Sequence, residues 1–144
     1  MMLPDRISQA IAATIRETGI NVTVQGSVEP TQNATTFARI VSQVTACTQR
    51  AFILKGVYDV IGEVTLIQSI DQDDAEILFR DNCANLREIL SDEYLITVSI
   101  SGNDSNLFIY PRSWQITDMQ QDAGERGFKA TISWKALIRD TFNT

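Results

Sequence analysis

Residues 56–100 read GVYDVIGEVTLIQSIDQDDAEILFRDNCANLREILSDEYLITVSI, and three different periodicities follow one another within them. From Gly56 to Ser69 the pattern alternates: Tyr58, Val60, Gly62, Val64 and Leu66 fall on one side, Asp59, Ile61, Glu63, Thr65 and Ile67 on the other. A period of two predicts a long strand, apolar on one face and mixed on the other. Asp71, Asp73, Asp74 and Glu76 come next, where the free N–H groups and positive dipole end of a helix favour carboxylates by about 0.3–1 kcal/mol each. Ala75, Leu78, Phe79, Asn82, Cys83, Leu86, Ile89 and Leu90 then recur at three- and four-residue steps, which predicts a helix ending near Ser91 and Asp92. Tyr94–Ile100 (YLITVSI) reads as a further strand. The module is a strand with a helix laid across it.

Upstream, Ile7, Ala10, Ile11, Thr14 and Ile15 mark a helix from about Pro4 to Thr18, stopped by Gly19. Ile20, Val22 and Val24 alternate as a short strand, and the polar 26–36 stretch (GSVEPTQNATT) reads as a loop. Phe37–Thr45 is rich in β-branched residues and reads as a strand, with a bend at Thr48–Arg50. Downstream of the module, Gly102–Asn106 is a turn, and Leu107–Ile109 starts a strand that Pro111 interrupts and Ser113–Met119 resumes. Ser113–Met119 and Phe128–Ala136 form an antiparallel hairpin across a polar turn at 120–127. The predicted order is helix, three strands, helix, three strands. Helices this few and segregated indicate an α+β fold, a mainly antiparallel sheet with two helices packed on one face.

With 144 residues, 44% hydrophobic, the chain fits one globular domain, 1–144, with a real core. Its net charge is −6, which opposes general affinity for phosphate backbones or anionic lipid. The acidity is uneven: 59–93 holds ten acidic and two basic residues, leaving eight acidic and ten basic elsewhere. The N-terminus lacks the pattern of a signal peptide, and no apolar run reaches the roughly 20 residues needed to span a bilayer. A soluble protein of a reducing cytoplasm is expected. Cys47 and Cys83 are far apart, without CxxC spacing or histidine, so both are expected as free thiols, Cys83 buried.

Chemistry-bearing motifs are few. A chain without histidine holds neither a Ser-His-Asp nor a Cys-His arrangement, and the seven glycines form no phosphate-cradling loop. A calcium loop starting at Asp71 needs Gly at its sixth and Glu at its twelfth position, where Glu76 and Asn82 stand. A two-metal site would need Asp59 or Glu63 to converge with Asp73 or Glu76, but the acids after Ser69 read as helix caps. Tyr110, Arg112 and Trp114 could stack on a base, yet read first as core or interface aromatics beside a solvated arginine; Trp134 is in phase with the core. No catalytic, cofactor-binding or metal residue is assigned, and an enzyme is not expected.

The whole run of features, an amphipathic N-terminal helix, GVYDVIGEVTLIQSI, DDAEILFRDNCANLREILSD, YLITVSI and a closing hairpin ending in GFKATISWKALI, resembles the tail-terminator (tail-completion) proteins of long-tailed bacteriophages. It covers most of the chain and rests on pattern and size, so it carries over no functional residue. The resemblance implies a virion protein that forms a ring, expected to be hexameric, on the last ring of tail-tube protein. That ring would halt tube growth, join the tail to head-tail connector and neck proteins, engage the sheath in contractile tails, and let DNA pass through its lumen without specific binding. The acids Asp59, Glu63 and Asp73 would suit such a lumen wall. Other expectations are a second kind of neck component (head-tail adaptor or stopper), a small metal-dependent enzyme using the carboxylates, or a cytoplasmic binding module.

Overall fold

A computed structural model describes residues 3–20, 22–26, 38–50, 56–69, 74–91, 99–101, 106–110, 113–124 and 127–140. Along the chain run α1 (Leu3–Glu17), β1 (Thr23–Gly26), β2 (Ala38–Gln49), β3 (Val57–Ser69), α2 (Ala75–Ser91), β4 (Ser99–Ser101), β5 (Asn106–Ile109), β6 (Gln115–Gly124) and β7 (Gly127–Asp140). The α+β class holds, with a mixed, curled sheet. Five of its pairings are antiparallel, but β1 pairs with β2 in parallel. Four strands follow α2 rather than three.

The sheet order is β1-β2-β3-β7-β5-β4, with β6 also on β7. The two longest strands, β3 and β7, are the spine, paired from Val57↔Arg139 to Ser69↔Gly127. The far edge of β7 is divided: β6 takes the Gly127–Lys135 part and β5 the Ile138–Asp140 part. Register brings buried residues into transverse rows, Ile40–Leu66–Ala130 and Ser42–Val64–Ile132 among them. This face, five predicted residues of α1 (Ile7, Ala10, Ile11, Thr14, Ile15) and the Phe79, Cys83, Leu86 and Leu90 stripe of α2 are all buried, and their apolar members form one cluster. Helix α1 lies at the sheet edge against β1 and β2, where the Arg16 guanidinium donates to the Val24 carbonyl at 2.6 Å. It ends at Gly19, whose φ of 79° lies in the left-handed region that glycine enters without a Cβ clash.

Another transverse row fixes how the sheet curls. Val44, Gly62, Trp134 and Ile116 stand side by side in β2, β3, β7 and β6. Trp134 is fully buried and lies over Gly62, where a Cβ would overlap its six-membered ring and come within 2.8 Å of the Gln43 carbonyl oxygen. Both outer strands break register beside this row, at Thr45 and at Thr117. Each extra threonine donates its hydroxyl across the ladder, Thr45 to the Ile61 carbonyl and Thr117 to the Ser133 carbonyl, both at 3.1 Å. Bulges sharpen twist, so two in one row bend the sheet along it.

Several boundaries differ from the sequence reading. The bend expected at Thr48–Arg50 is strand as far as Gln49, because Thr48 and Gln49 pair with Asp59 and Tyr58. Of the turn expected at 120–127, Gln120 to Gly124 are strand, staying in ladder with β7, and 125–126 lie outside the described residues. Polar residues extend a strand when the neighbouring strand supplies the hydrogen bonds. Leu78, expected in the buried stripe of α2, is 37% exposed. Of the predicted loops, 27–36 and 102–105 lie outside the described residues, as does 94–98 of the predicted YLITVSI strand.

Replacing Gly62 with alanine is expected to cost about 3 kcal/mol, because neither the indole nor the Gln43 backbone can yield. A urea titration checks this, and a smaller loss in a Trp134→Leu background would locate the clash. Burial pushes the Cys83 thiol up to about 11 from 9.0. The folded form then keeps a proton that the unfolded chain loses, so its stabilising effect is full below 9.0 and fades as pH rises to about 11. In a Cys47→Ala background, the fall of the urea midpoint across that window should be shallower with Cys83→Ala. Ellman's reagent should label half-buried Cys47 well before Cys83.

Candidate assembly surface

The residues of β3 that the alternation sends away from the core define a second sheet face. Their register partners complete it: Ile61 lies between Ala46 and Lys135, Glu63 between Gln43 and Ser133, Thr65 between Val41 and Thr131, and Ile67 between Arg39 and Lys129. Phe108 joins it through its pairing with Arg139. Ile61 and Phe108 are each 40% exposed. The face is neither core-like nor uniformly polar; it carries apolar side chains beside charged ones.

The acidity concentrated in 59–93 along the sequence does not become an acidic surface here. Asp59 reaches the Arg50 guanidinium at 3.9 Å, an exposed pair of small energetic weight, and Glu63 shares the face with Lys135, Lys129 and Arg39. The positions of β7 on this side are Lys129, Thr131, Ser133, Lys135, Leu137 and Arg139, three cations with no acid. Cross-strand pairing mixes charges that the sequence keeps apart.

Helix α2 presents the other distinctive surface, and its two ends are held tightly. Buried Gln68, at the end of β3, donates from Nε2 to the Ala75 carbonyl at 2.7 Å and accepts from Asn82 Nδ2 at 3.2 Å. At the other end, the Trp114 indole Nε1 donates to the Leu90 carbonyl at 2.8 Å. Trp114 stacks on Trp134 with centroids 4.8 Å apart, and Phe79 stacks on Phe128 at 5.1 Å. Trp114 is thus a core residue whose ring is taken up by Trp134; Tyr110 lies in the turn before it, its carbonyl accepting from the Ser113 hydroxyl, and Arg112 lies outside the described residues.

Of the four acids expected to cap this helix, Asp71 and Asp73 lie outside the described residues. Asp74 precedes the helix with φ 59°, and its carbonyl accepts from the Leu78 amide. Glu76 sits in the first turn, paired with Arg80 at 2.8 Å. Among the described residues no three carboxylate or cysteine side chains gather as a metal site would require. On the outer side Ile77 is 61% exposed next to Leu78. The helical period places Leu78 in the core and passes over Ile77, yet Ile77, Leu78, Asp81 and Glu88 recur at helical steps as a readable second stripe.

Trp114→Phe keeps the stacked ring but strands the Leu90 carbonyl, at an expected cost of about 1–3 kcal/mol. Thermal unfolding measures the loss, and amide exchange should show it concentrated in the last turn of α2.

No family model matches the chain, and no curated protein matches it in sequence.

Proposed function

We propose that this chain is a structural virion protein, a tail terminator that closes into a ring on the finished tail tube and joins it to the head and neck. The observation that carries this reading is the exposed mixed face of the sheet. In the proposed arrangement both helices lie against one face of the mainly antiparallel sheet, while the other offers Ile61 and Phe108 among charged neighbours to another protein. A subunit with distinct surfaces on its two sides suits head-to-tail contacts, which close into rings. The α2 ties through Gln68 and Trp114 support it as a rigid building block. The elements behind the resemblance also occur as α1, β3, α2 and the β6–β7 hairpin. In this reading the partners are the tail tube protein, the connector and neck proteins and, in a contractile tail, the sheath. The net charge of −6 suits a lumen through which DNA slides without adhering.

Light scattering on the purified chain is expected to give a closed species of about six times the 16.1 kDa subunit mass. Tail assembly without this chain should yield tubes of unregulated length that fail to join heads, and adding it back should restore both. Tubes of normal length in its absence would refute the terminator reading; if they still failed to join heads, a neck adaptor or stopper would replace it.

A further inference from the structure

The four large apolar side chains left exposed among the described residues belong to two surfaces: Ile61 and Phe108, on either side of β7, to the mixed sheet face, and Ile77 and Leu78 to the outer side of α2. Asp59 and Glu63 flank Ile61 along β3, but β7 brings only cations to this face, whereas the stripe of α2 carries acids. On the sheet, Ile61 stands in register with Lys135 and Phe108 with Arg139, and Lys129 lies further along the same strand. On the helix, Asp81 and Glu88 share the stripe of Ile77 and Leu78 at steps of three, four and seven residues, and Asp74 immediately precedes its first turn. The two basic side chains of α2 are engaged elsewhere, Arg80 on Glu76 and Arg87 on the Met119 sulfur.

We infer that these patches are the two halves of one contact between copies of this chain: the α2 stripe of one subunit docks on the β7 side of the next subunit's mixed face. Ile77 and Leu78 then cover Ile61, and Asp81 and Glu88 meet Lys135 and Arg139, with Phe108 beside the latter. From Asp81 to Glu88 a helix rises about 10 Å, at 1.5 Å per residue. From Lys135 to Arg139 a strand spans about 13 Å, so these two acids and two cations can face one another. Because each patch is paired with a different one, the contact is heterologous and repeats around a ring. Exposed apolar groups rimmed by opposite charges supply both adhesion and register. This assignment rests on the ring reading above and names the surfaces that build the ring.

Two variants test it, one carrying Ile77→Lys with Leu78→Lys, the other Ile61→Thr with Lys135→Glu. Each destroys one patch and leaves the other, so each alone should run as a monomer. Mixed, they should form a one-to-one pair of twice the subunit mass and stop there, because the remaining patches are both defective. A charge-only set, Lys135→Glu with Arg139→Glu against Asp81→Lys with Glu88→Lys, alters exposed groups alone and keeps the test readable if an apolar variant misfolds. Each half should lose rings, and the two halves combined in one chain should regain them. Rings persisting in either patch variant would overturn this contact while leaving the ring reading in place. Self-pairing of the helix variant, with loss only in the sheet variant, would overturn it in favour of a two-fold sheet contact. A wild-type chain that stays monomeric at millimolar concentration would overturn the contact and the ring reading together.

Discussion

The missing side chain at Gly62 is the constraint on which the rest of the structure depends. It lets the Trp134 indole lie flat over the centre of β3, and the indole in turn forms the platform on which Trp114 stacks. Trp114 then holds the C-terminal end of α2 by its carbonyl. Sheet curvature, aromatic core and helix position are thus linked in one column of contacts. The bulges at Thr45 and Thr117 belong to the same column, since the outer strands absorb there an extra residue each and return its hydroxyl to the ladder.

Much of this was legible in the sequence because it is local. The alternation of Tyr58, Val60, Gly62, Val64 and Leu66 marked β3 and its inward face, and the steps of Ile7, Ala10, Ile11, Thr14 and Ile15 marked α1. What escaped is non-local. Gln120, Gln121 and Asp122 resemble turn residues, yet they extend β6 because β7 supplies their partners. The parallel pairing of β1 had no signature either, since four residues beside β2 satisfy the same alternation in either direction. Leu78 fitted the helical period but lies outside the arc that meets the sheet. The width of that arc is set by packing on β3 and β7 rather than by periodicity.

The candidate surface was only half legible for a related reason. Reading along β3 shows that one of its faces is mixed, but the character of a sheet face is set across strands. Lys129, Lys135 and Arg139 come from a segment some 70 residues downstream and arrive beside Ile67, Ile61 and Phe108 only through register. A local count of acids therefore matched the outer stripe of α2 but not the face of β3, where β7 supplies cations. The outer stripe of α2 is different: it is confined to one helix and could be read directly.

The pairing of β3 with β7 also has a temporal consequence. A chain leaving the ribosome presents β3 and α2 long before Ala130, Ile132, Trp134 and Ile138 exist to complete the core around them. Pairings that join distant segments are slow to form and are gained late. Lys129, Lys135 and Arg139, which carry the cations of the mixed face, are part of that last strand. In the proposed ring, the surface that meets a neighbour and the final strand of the core would be completed by the same event, so a partly synthesised subunit would lack the means to enter the assembly too early.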